Sequence, residues 1–254
     1  MKRFSSLLFI SLFLFASSSW AQTSSSDKQL ADSCVEKYKQ NDLDGAIADC
    51  SRAIELNPRS ATAYAMRGLI FVQKGNLEGA IADLDKALVL DPRNPNLYRM
   101  RGITKFKKGD LDGSIADYDK AVDLDPSFES YRGRALAHFV KGNFDKAIDD
   151  INVAIEKSPE PVQLNIVRPL YNVRAQAKFR KKDWEAAIVD YNIAIKLDPK
   201  FPDAYFYRGL TLLNQGKDIE AQKDFDKFLE LAPDKKAFLE KWVEKTKRER
   251  TVRK

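Results

Sequence analysis

The sequence predicts an all-α solenoid: six helix–turn–helix repeats stacked in chain order and closed by a C-terminal capping helix. Three observations carry that prediction. Near-copies of one stretch, GNLEGAIADLDKALVLDP ending at Pro92, recur from end to end, and the first small residue of each copy is Ala46, Ala80, Ser114, Ala147, Ala187 and Ala221. The steps between them are 34, 34, 33, 40 and 34 residues, and a fixed step near 34 marks paired helices that cannot bury their apolar faces alone. Each copy closes on Pro (Pro58, Pro92, Pro126, Pro159, Pro199, Pro233), which cannot continue a helix and biases the residue before it away from helical geometry. Beyond Pro233, Phe238, Leu239, Trp242 and Val243 share one helical face with charge opposite, an amphipathic helix suited to covering the last repeat.

At the N-terminus, Lys2 and Arg3 precede the apolar run LLFISLFLFA, and Ser19-Trp20-Ala21 places small residues three before and one before a cut. This is the pattern of a secretory signal peptide over 1–21, cleaved after Ala21. The apolar core is too short to span a bilayer, which needs roughly 20 residues. No Cys follows the cut to carry a lipid, so no stable membrane anchor is expected after cleavage. The mature chain is expected to begin at Gln22, with 22–26 as a polar lead-in, and to be periplasmic or secreted.

The repeats run 27–60, 61–94, 95–128, 128–161, 168–201 and 202–235, with an insertion at 162–167 and a capping helix and basic tail over 236–254. In each first helix the fourth residue is large and apolar: Leu30, Tyr64, Tyr98, Tyr131, Tyr171, Tyr205. The eighth is small: Cys34, Gly68, Gly102, Ala135, Ala175, Gly209. A turn at Asn41, Gly75, Gly109, Gly142, Lys182 or Gly216 leads into the second helix. The small eighth residue and the small residue twelve later let antiparallel helices approach, while Leu84, Tyr118, Ile151, Tyr191 and Phe225 fill the edges. Full burial of such a side chain contributes about 1.5–3 kcal/mol, largely offset by chain entropy, so stability comes from stacking several repeats.

This series of large, small, aromatic, Ala and Pro positions resembles the tetratricopeptide repeat (TPR), in six repeats covering Asp27 to Lys235. Departures are Cys34 for Gly, Lys182 at the turn, Asp218 at a usually apolar place and Phe228 for the second Ala; the last two bring the tightness of the sixth repeat into question. The resemblance implies a right-handed superhelix whose first helices line a concave groove through their second, fifth, ninth, twelfth and thirteenth residues. On that basis the candidate groove residues are Leu69, Arg99, Ile103, Phe106, Lys107, Arg132, Leu136, Phe139, Gln176, Phe179 and Arg180. They make an apolar trough with basic points, suited to a peptide or partner segment with apolar anchors and an acidic group. The twelfth positions serve equally well as seals between repeats. The Lys/Asn/Arg set with which some family members clamp a C-terminal carboxylate is not present.

Other classes fare worse. Residues 22–233 hold 32 bases against 33 acids, and nine of the remaining bases against four acids fall in 234–254. A basic nucleic-acid groove is therefore not written into the repeats, and export argues further against the related repeat that reads single-stranded RNA. One His and two Cys cannot assemble a His-rich or four-cysteine metal site. The glycines are isolated in separate turns, so no phosphate cradle forms. His138, at a repeat position held elsewhere by Lys, Phe or Leu, reads as a helix residue and not as a base. No enzyme activity and no cofactor are expected. The function expected is a scaffold binding a protein or peptide partner in the cell envelope, with a purely structural spacer as the alternative.

Four finer expectations follow. Cys34 and Cys50 face one helix–helix interface in a chain bound for an oxidising compartment, so a disulfide is expected, against the alternative of two buried thiols. The insertion is either a tolerated surface loop or an extension beside the groove, and its Val162, Leu164, Ile166 and Val167 call for cover. The end of the chain, KTKRERTVRK, reads as a solvated tail, against the alternative of a contact with anionic lipid or nucleic acid. Finally, second helices carry Asp49, Asp83, Asp117, Asp150, Asp190 and Asp224, and first helices carry Arg67, Arg101, Arg134, Arg174 and Arg208, with Ser33 in the first repeat. Since no Asp precedes that first repeat, each Asp is expected to pair with the Arg of the next repeat, with Asp224 facing the terminal helix and Asp150–Arg174, across the insertion, the weakest pair.

Overall fold

The computed structural model describes residues 26–158 and 164–252. The signal-peptide segment 1–21 and most of the lead-in lie outside the described residues, as does Val162 of the insertion. Among the described residues there is no strand, and no helix is long and apolar enough to cross a membrane. The chain divides into two compact units, Met1–Leu124 and Asp125–Lys254.

The first unit contains α1 (26–39), α2 (Leu43–Leu56), α3 (Ala61–Gln73), α4 (Leu77–Leu90), α5 (Pro95–Lys108) and α6 (Leu111–Leu124). In the second, α7 (Phe128–Lys141), α8 (Phe144–Glu156), α9 (Leu164–Arg180), α10 (Trp184–Leu197), α11 (Pro202–Asn214) and α12 (Asp218–Leu231) are followed by a 3₁₀ turn, Pro233–Lys235, and α13 (Lys236–Val252). Within each unit successive helices pack on one another, α3 on α4 and α4 on α5, then α9 on α10 and α10 on α11. This is the all-α layering that a short, regular repeat requires.

The turn inside each repeat reverses direction through one residue in the left-handed region: Gly75, Gly109, Gly142 and Gly216 at φ 79–89°, with Asn41 and Lys182 at 61° and 66° in the two repeats that lack Gly. In the first three repeats the second helix then starts on a side-chain cap. Asp42, Asn76 and Asp110 accept the backbone N–H of Gly45, Gly79 and Gly113 at 2.9–3.0 Å, satisfying an amide that the helix leaves without a partner.

Two contacts, both spanning sixteen residues, hold the paired helices together. In the first, the small eighth residue meets the large residue of the second helix: a Cβ on Gly102 would stand 3.1 Å from the Tyr118 ring, and one on Gly209 only 2.5 Å from the ring of Phe225. The first repeat places Cys34 and Cys50 at these positions, and there they are joined as a disulfide with Cα atoms 5.4 Å apart. Both cysteines are fully buried beside Ala46 and Ile70.

The second contact overturns the expected charge pairing. Each Arg grips the Asp of its own repeat, Nε and Nη2 donating to the two carboxylate oxygens at 2.5–2.9 Å in Arg67–Asp83, Arg101–Asp117, Arg134–Asp150, Arg174–Asp190 and Arg208–Asp224. The Asp lies opposite the seventh and eleventh residues of its partner helix, one turn apart on one face. Accordingly Lys105 and Lys178 add a second cation to Asp117 and Asp190, and in the first repeat Ser33 and Lys37 together hold Asp49. What reaches the neighbouring repeat is the remaining guanidinium nitrogen. Nη1 of Arg67, Arg101, Arg174 and Arg208 donates to Ser51, Asp85, Asn152 and Asn192, two residues beyond the preceding Asp. The first repeat has no predecessor, so Ser33 suffices there. Each guanidinium also lies 5.1–5.8 Å from the ring of the Tyr three residues earlier, a cation–π contact that explains Tyr at the fourth position.

The insertion is not a loose surface loop over its second half. Residues 164–167 form the first turn of α9 ahead of Pro169. Val167 is buried, and Ile166 packs against the core of Phe128, Ile151 and Leu170. Arg174 still reaches Asn152 across it at 2.6 Å, but the expected Asp150–Arg174 pair does not form: Arg134 holds Asp150 and Arg174 holds Asp190. The basic tail is likewise ordered further than expected. Helix α13 continues to Val252, and Arg250 donates to the Leu213 carbonyl at 2.7 Å and to the Asp218 carboxylate. Both sixth-repeat departures serve this helix. Asp218 receives Arg250, and Phe228, where other repeats have Ala, packs 5.2 Å from Phe206, whose ring also meets Phe238 and Trp242.

Candidate functional site

In the first unit the candidate residues lie on α3 and α5, which are in contact. Arg99, Ile103 and Lys107 stand four residues apart and so share one face of α5. Ile103 is 46% exposed, while Phe106 and Leu69 are half-buried. Arg99 is tethered to the Asn96 side chain.

Of the clefts in the second unit, two take in candidate residues and run along the first helices of its repeats. One, of about 240 Å³, lies between α7 and α9 and is lined by Phe128, Glu129, Arg132, Leu136, Ile166, Pro169, Leu170 and Val173. It brings together Arg132 and Leu136 from the sequence-derived set and adds Ile166 from the insertion. The Arg132 guanidinium lies 5.8 Å from the Phe128 ring. Phe139 lines neither cleft; its ring meets Phe144 edge-on at 5.9 Å. Leu213, at the same repeat position, is buried, whereas Phe179 there lines a cleft and Phe106 and Phe139 are half-buried.

The other cleft, of about 320 Å³, unites Gln176, Phe179 and Arg180 of α9 with Lys182, Trp184, Tyr207, Leu210 and Asn214, and with Trp242, Lys245, Thr246 and Glu249 of α13. Its wall is aromatic. Tyr207 stacks on Tyr191 at 6.3 Å and 8°. Burial raises the hydroxyl pKa of both, Tyr191 well above the ordinary range, with Arg180 acting in the opposite sense. Both phenols are therefore neutral, and charge at the rim belongs to Arg180, Lys182, Lys245 and Glu249. Lys245 sits 4.9 Å from the Trp242 ring and 3.9 Å from Glu249.

Sequence reasoning found the α9 residues because they fall at groove positions of a repeat. It missed Trp242, Lys245 and Thr246 because α13 was read as a cap alone. This helix is seated on α11 and presents side chains beside α9 and α11. Among the described residues no group of three His, Cys, Asp or Glu side chains is placed to hold a metal ion, and His138 is buried with its Nδ1 against the Asn143 amide at 3.3 Å.

Paired helices in repeating register, with side chains converging in clefts along the first helices, define a helical-repeat scaffold. Models of the TPR repeat match residues 68–109 and 175–216, and two further tetratricopeptide repeat models match 99–160 and 202–235. Together these span more than half of the chain, which belongs to the tetratricopeptide repeat proteins. A search of curated proteins gives no match. Among solved structures, the chain is similar to the MamA protein (29% identity, 69% of this chain and 93% of that one, TM-score 0.62). It is also similar to YrrB, a TPR protein with an unusual peptide-binding site (22% identity, 69% and 88%, TM-score 0.60). Pseudomonas aeruginosa pilF shares the fold over 92% of this chain and all of its own length, at 14% identity and a TM-score of 0.67.

Proposed function

We propose that this protein is a non-enzymatic scaffold that holds a segment of a partner protein against the first helices of its repeats. The observation that supports it most directly is the pair of half-open clefts in the second unit, each combining apolar walls with an Arg at the rim. This arrangement suits capture of a chain segment with a buried anchor, and offers no nucleophile–base pair for chemistry. The 1–21 pattern supports a role in the cell envelope, after export. YrrB, on the same fold, carries a peptide-binding site.

The test is a substitution scan of both clefts and of the α5 face, read as retention of partners from the native envelope fraction and as helix content. A binding scaffold gives a few dominant losses at unchanged helicity, centred on positions such as Arg132, Leu136, Phe179 and Arg180. Uniformly small effects would instead identify a spacer. Export is tested separately by mass spectrometry: a mature N-terminus at Gln22 is expected, and an intact Met1 chain in the cytoplasm refutes it.

A further inference from the structure

We propose that the cleft bounded by α9, α11 and α13 is a receptor for an acidic peptide segment, which inserts one large aromatic side chain among Phe179, Tyr207 and Trp242 and sets a carboxylate against Arg180. The inference rests on the reading of the protein as a partner-binding scaffold and goes further by making the terminal helix one wall of the site.

Charge is the first argument. The five Arg residues of the repeat column are each saturated by Asp, yet Arg180 and Lys182 form no ion pair among the described residues. Lys245 shares the rim with one acid, Glu249, so the mouth carries three cations against one anion. In sequence, the stretch 234–254 that supplies the α13 wall holds nine bases and four acids, a surplus of five, while 22–233 are balanced to within one charge. The excess positive charge of the chain beyond 1–21 is thus gathered at the end that bears the cleft. A guanidinium beside apolar walls favours a carboxylate, which it can engage through two parallel hydrogen bonds.

Shape is the second. At about 320 Å³ the cleft lies at the small end of ligand sites, with room for one large side chain and its immediate neighbour. Its half-buried rings offer both faces and edges to an incoming aromatic ring, and Gln176 adds an amide able to meet an extended backbone. The wall is also fixed before binding. Arg250 ties α13 to Asp218 and to the Leu213 carbonyl, and the Trp242 ring stands edge-on to Phe206 at 6.5 Å. A rigid site loses little ordering entropy on binding.

The test uses the purified protein and labelled peptides in fluorescence polarisation. The probe is Gly-Ser-Gly-Trp-Leu-Asp-Glu-Gly-Ser-Gly; one variant replaces Asp-Glu by Asn-Gln, another replaces Trp by Ala, and an oligo-uridylate of matching length is the competitor. The acidic aromatic peptide is expected to bind about tenfold or more tighter than either variant. That preference should vanish in Arg180→Glu and in Trp242→Ala and persist in Lys196→Glu, an exposed charge reversal on α10. Circular dichroism checks each fold, and Arg180→Glu, at an exposed site, keeps the test valid should Trp242→Ala unfold α13. Equal binding of the acidic and amide peptides, or a preference surviving Arg180→Glu, overturns the proposal. A preference lost in Arg132→Glu instead overturns this cleft while leaving the scaffold reading intact. Displacement of the peptide by oligo-uridylate at lower concentration overturns it in favour of a nucleic acid.

Discussion

Replacing Arg208 by Met should destabilise the second unit far more than the same change at Arg174, although both residues hold a buried Asp with the same geometry. Asp190 is 1% exposed and Asp224 5% exposed. Arg174→Met leaves Asp190 with the Lys178 amine at 2.8 Å, so the loss is limited to charged hydrogen bonds, about 1.5–3 kcal/mol. One turn after Arg208 the sequence has Leu212 where α9 has Lys178. Asp224 would then be a buried carboxylate without a counter-charge, and breaking such a pair from one side costs about 3–5 kcal/mol. The expected gap is about 1.5–2 kcal/mol. The double change Arg208→Met/Asp224→Leu should recover most of the loss, since an apolar pair of similar volume is close to neutral in such a site. The assay is urea unfolding followed by tryptophan fluorescence, because Trp184 and Trp242, the only tryptophans beyond residue 21, both report on this unit. The slope with denaturant should stay constant across the series. Equal losses at the two sites, or a double variant as unstable as Arg208→Met alone, would refute the assignment of Lys178 as a second counter-charge.

Reducing the Cys34–Cys50 bridge should lower the stability of the first unit by about 3 kcal/mol, from the short loop it closes. Calorimetry with and without reductant reads this, and a Cys34→Gly/Cys50→Leu variant, built after Gly68 and Leu84, should not respond. The Lys37 amine and the Ser33 hydroxyl hold the Asp49 carboxyl below its ordinary value of 3.8. A depressed pKa gives stability that is full above that value and lost as pH falls through the lowered one, so the first unit should weaken below about pH 4. Hydrogen exchange of α2 amides should show that acid response shrinking in Asp49→Asn, and an unchanged response would count against the pairing. Lys182→Gly should stabilise the fifth repeat by about 0.5–1 kcal/mol by relieving a side chain at φ 66°; thermal melts test it.

Much of the fold is legible because the repeat states each local requirement several times over. A small residue sixteen before a large one, a turn residue suited to positive φ and a terminal Pro together leave one way to pair the helices. The Asp and Arg columns were equally visible, but their partners were not. Asp49 precedes Arg67 by eighteen residues and Arg67 precedes Asp83 by sixteen, and both distances are within reach in a stack. The choice is made by where the second helix crosses the first, information that no single column contains. Similarly, counting the fifth repeat from Arg168 hid the helical turn ahead of it. The α13 wall escaped because groove positions are counted within repeats, whereas Trp242 enters the cleft from a helix outside the count.

The three-way grip of Arg174 has a consequence for how such a chain changes over time. Register between the fourth and fifth repeats is carried by a side chain that holds Asp190 and Asn152 at once, and not by the length of the connecting backbone. Connections at these junctions are therefore free to lengthen: six residues are added here, four of them as the first turn of α9, and the same grip closes across them. A chain built this way can acquire new surface at any junction without renegotiating the alignment of its repeats, and a loop of foreign sequence spliced between Pro159 and Leu164 should be accepted on the same terms.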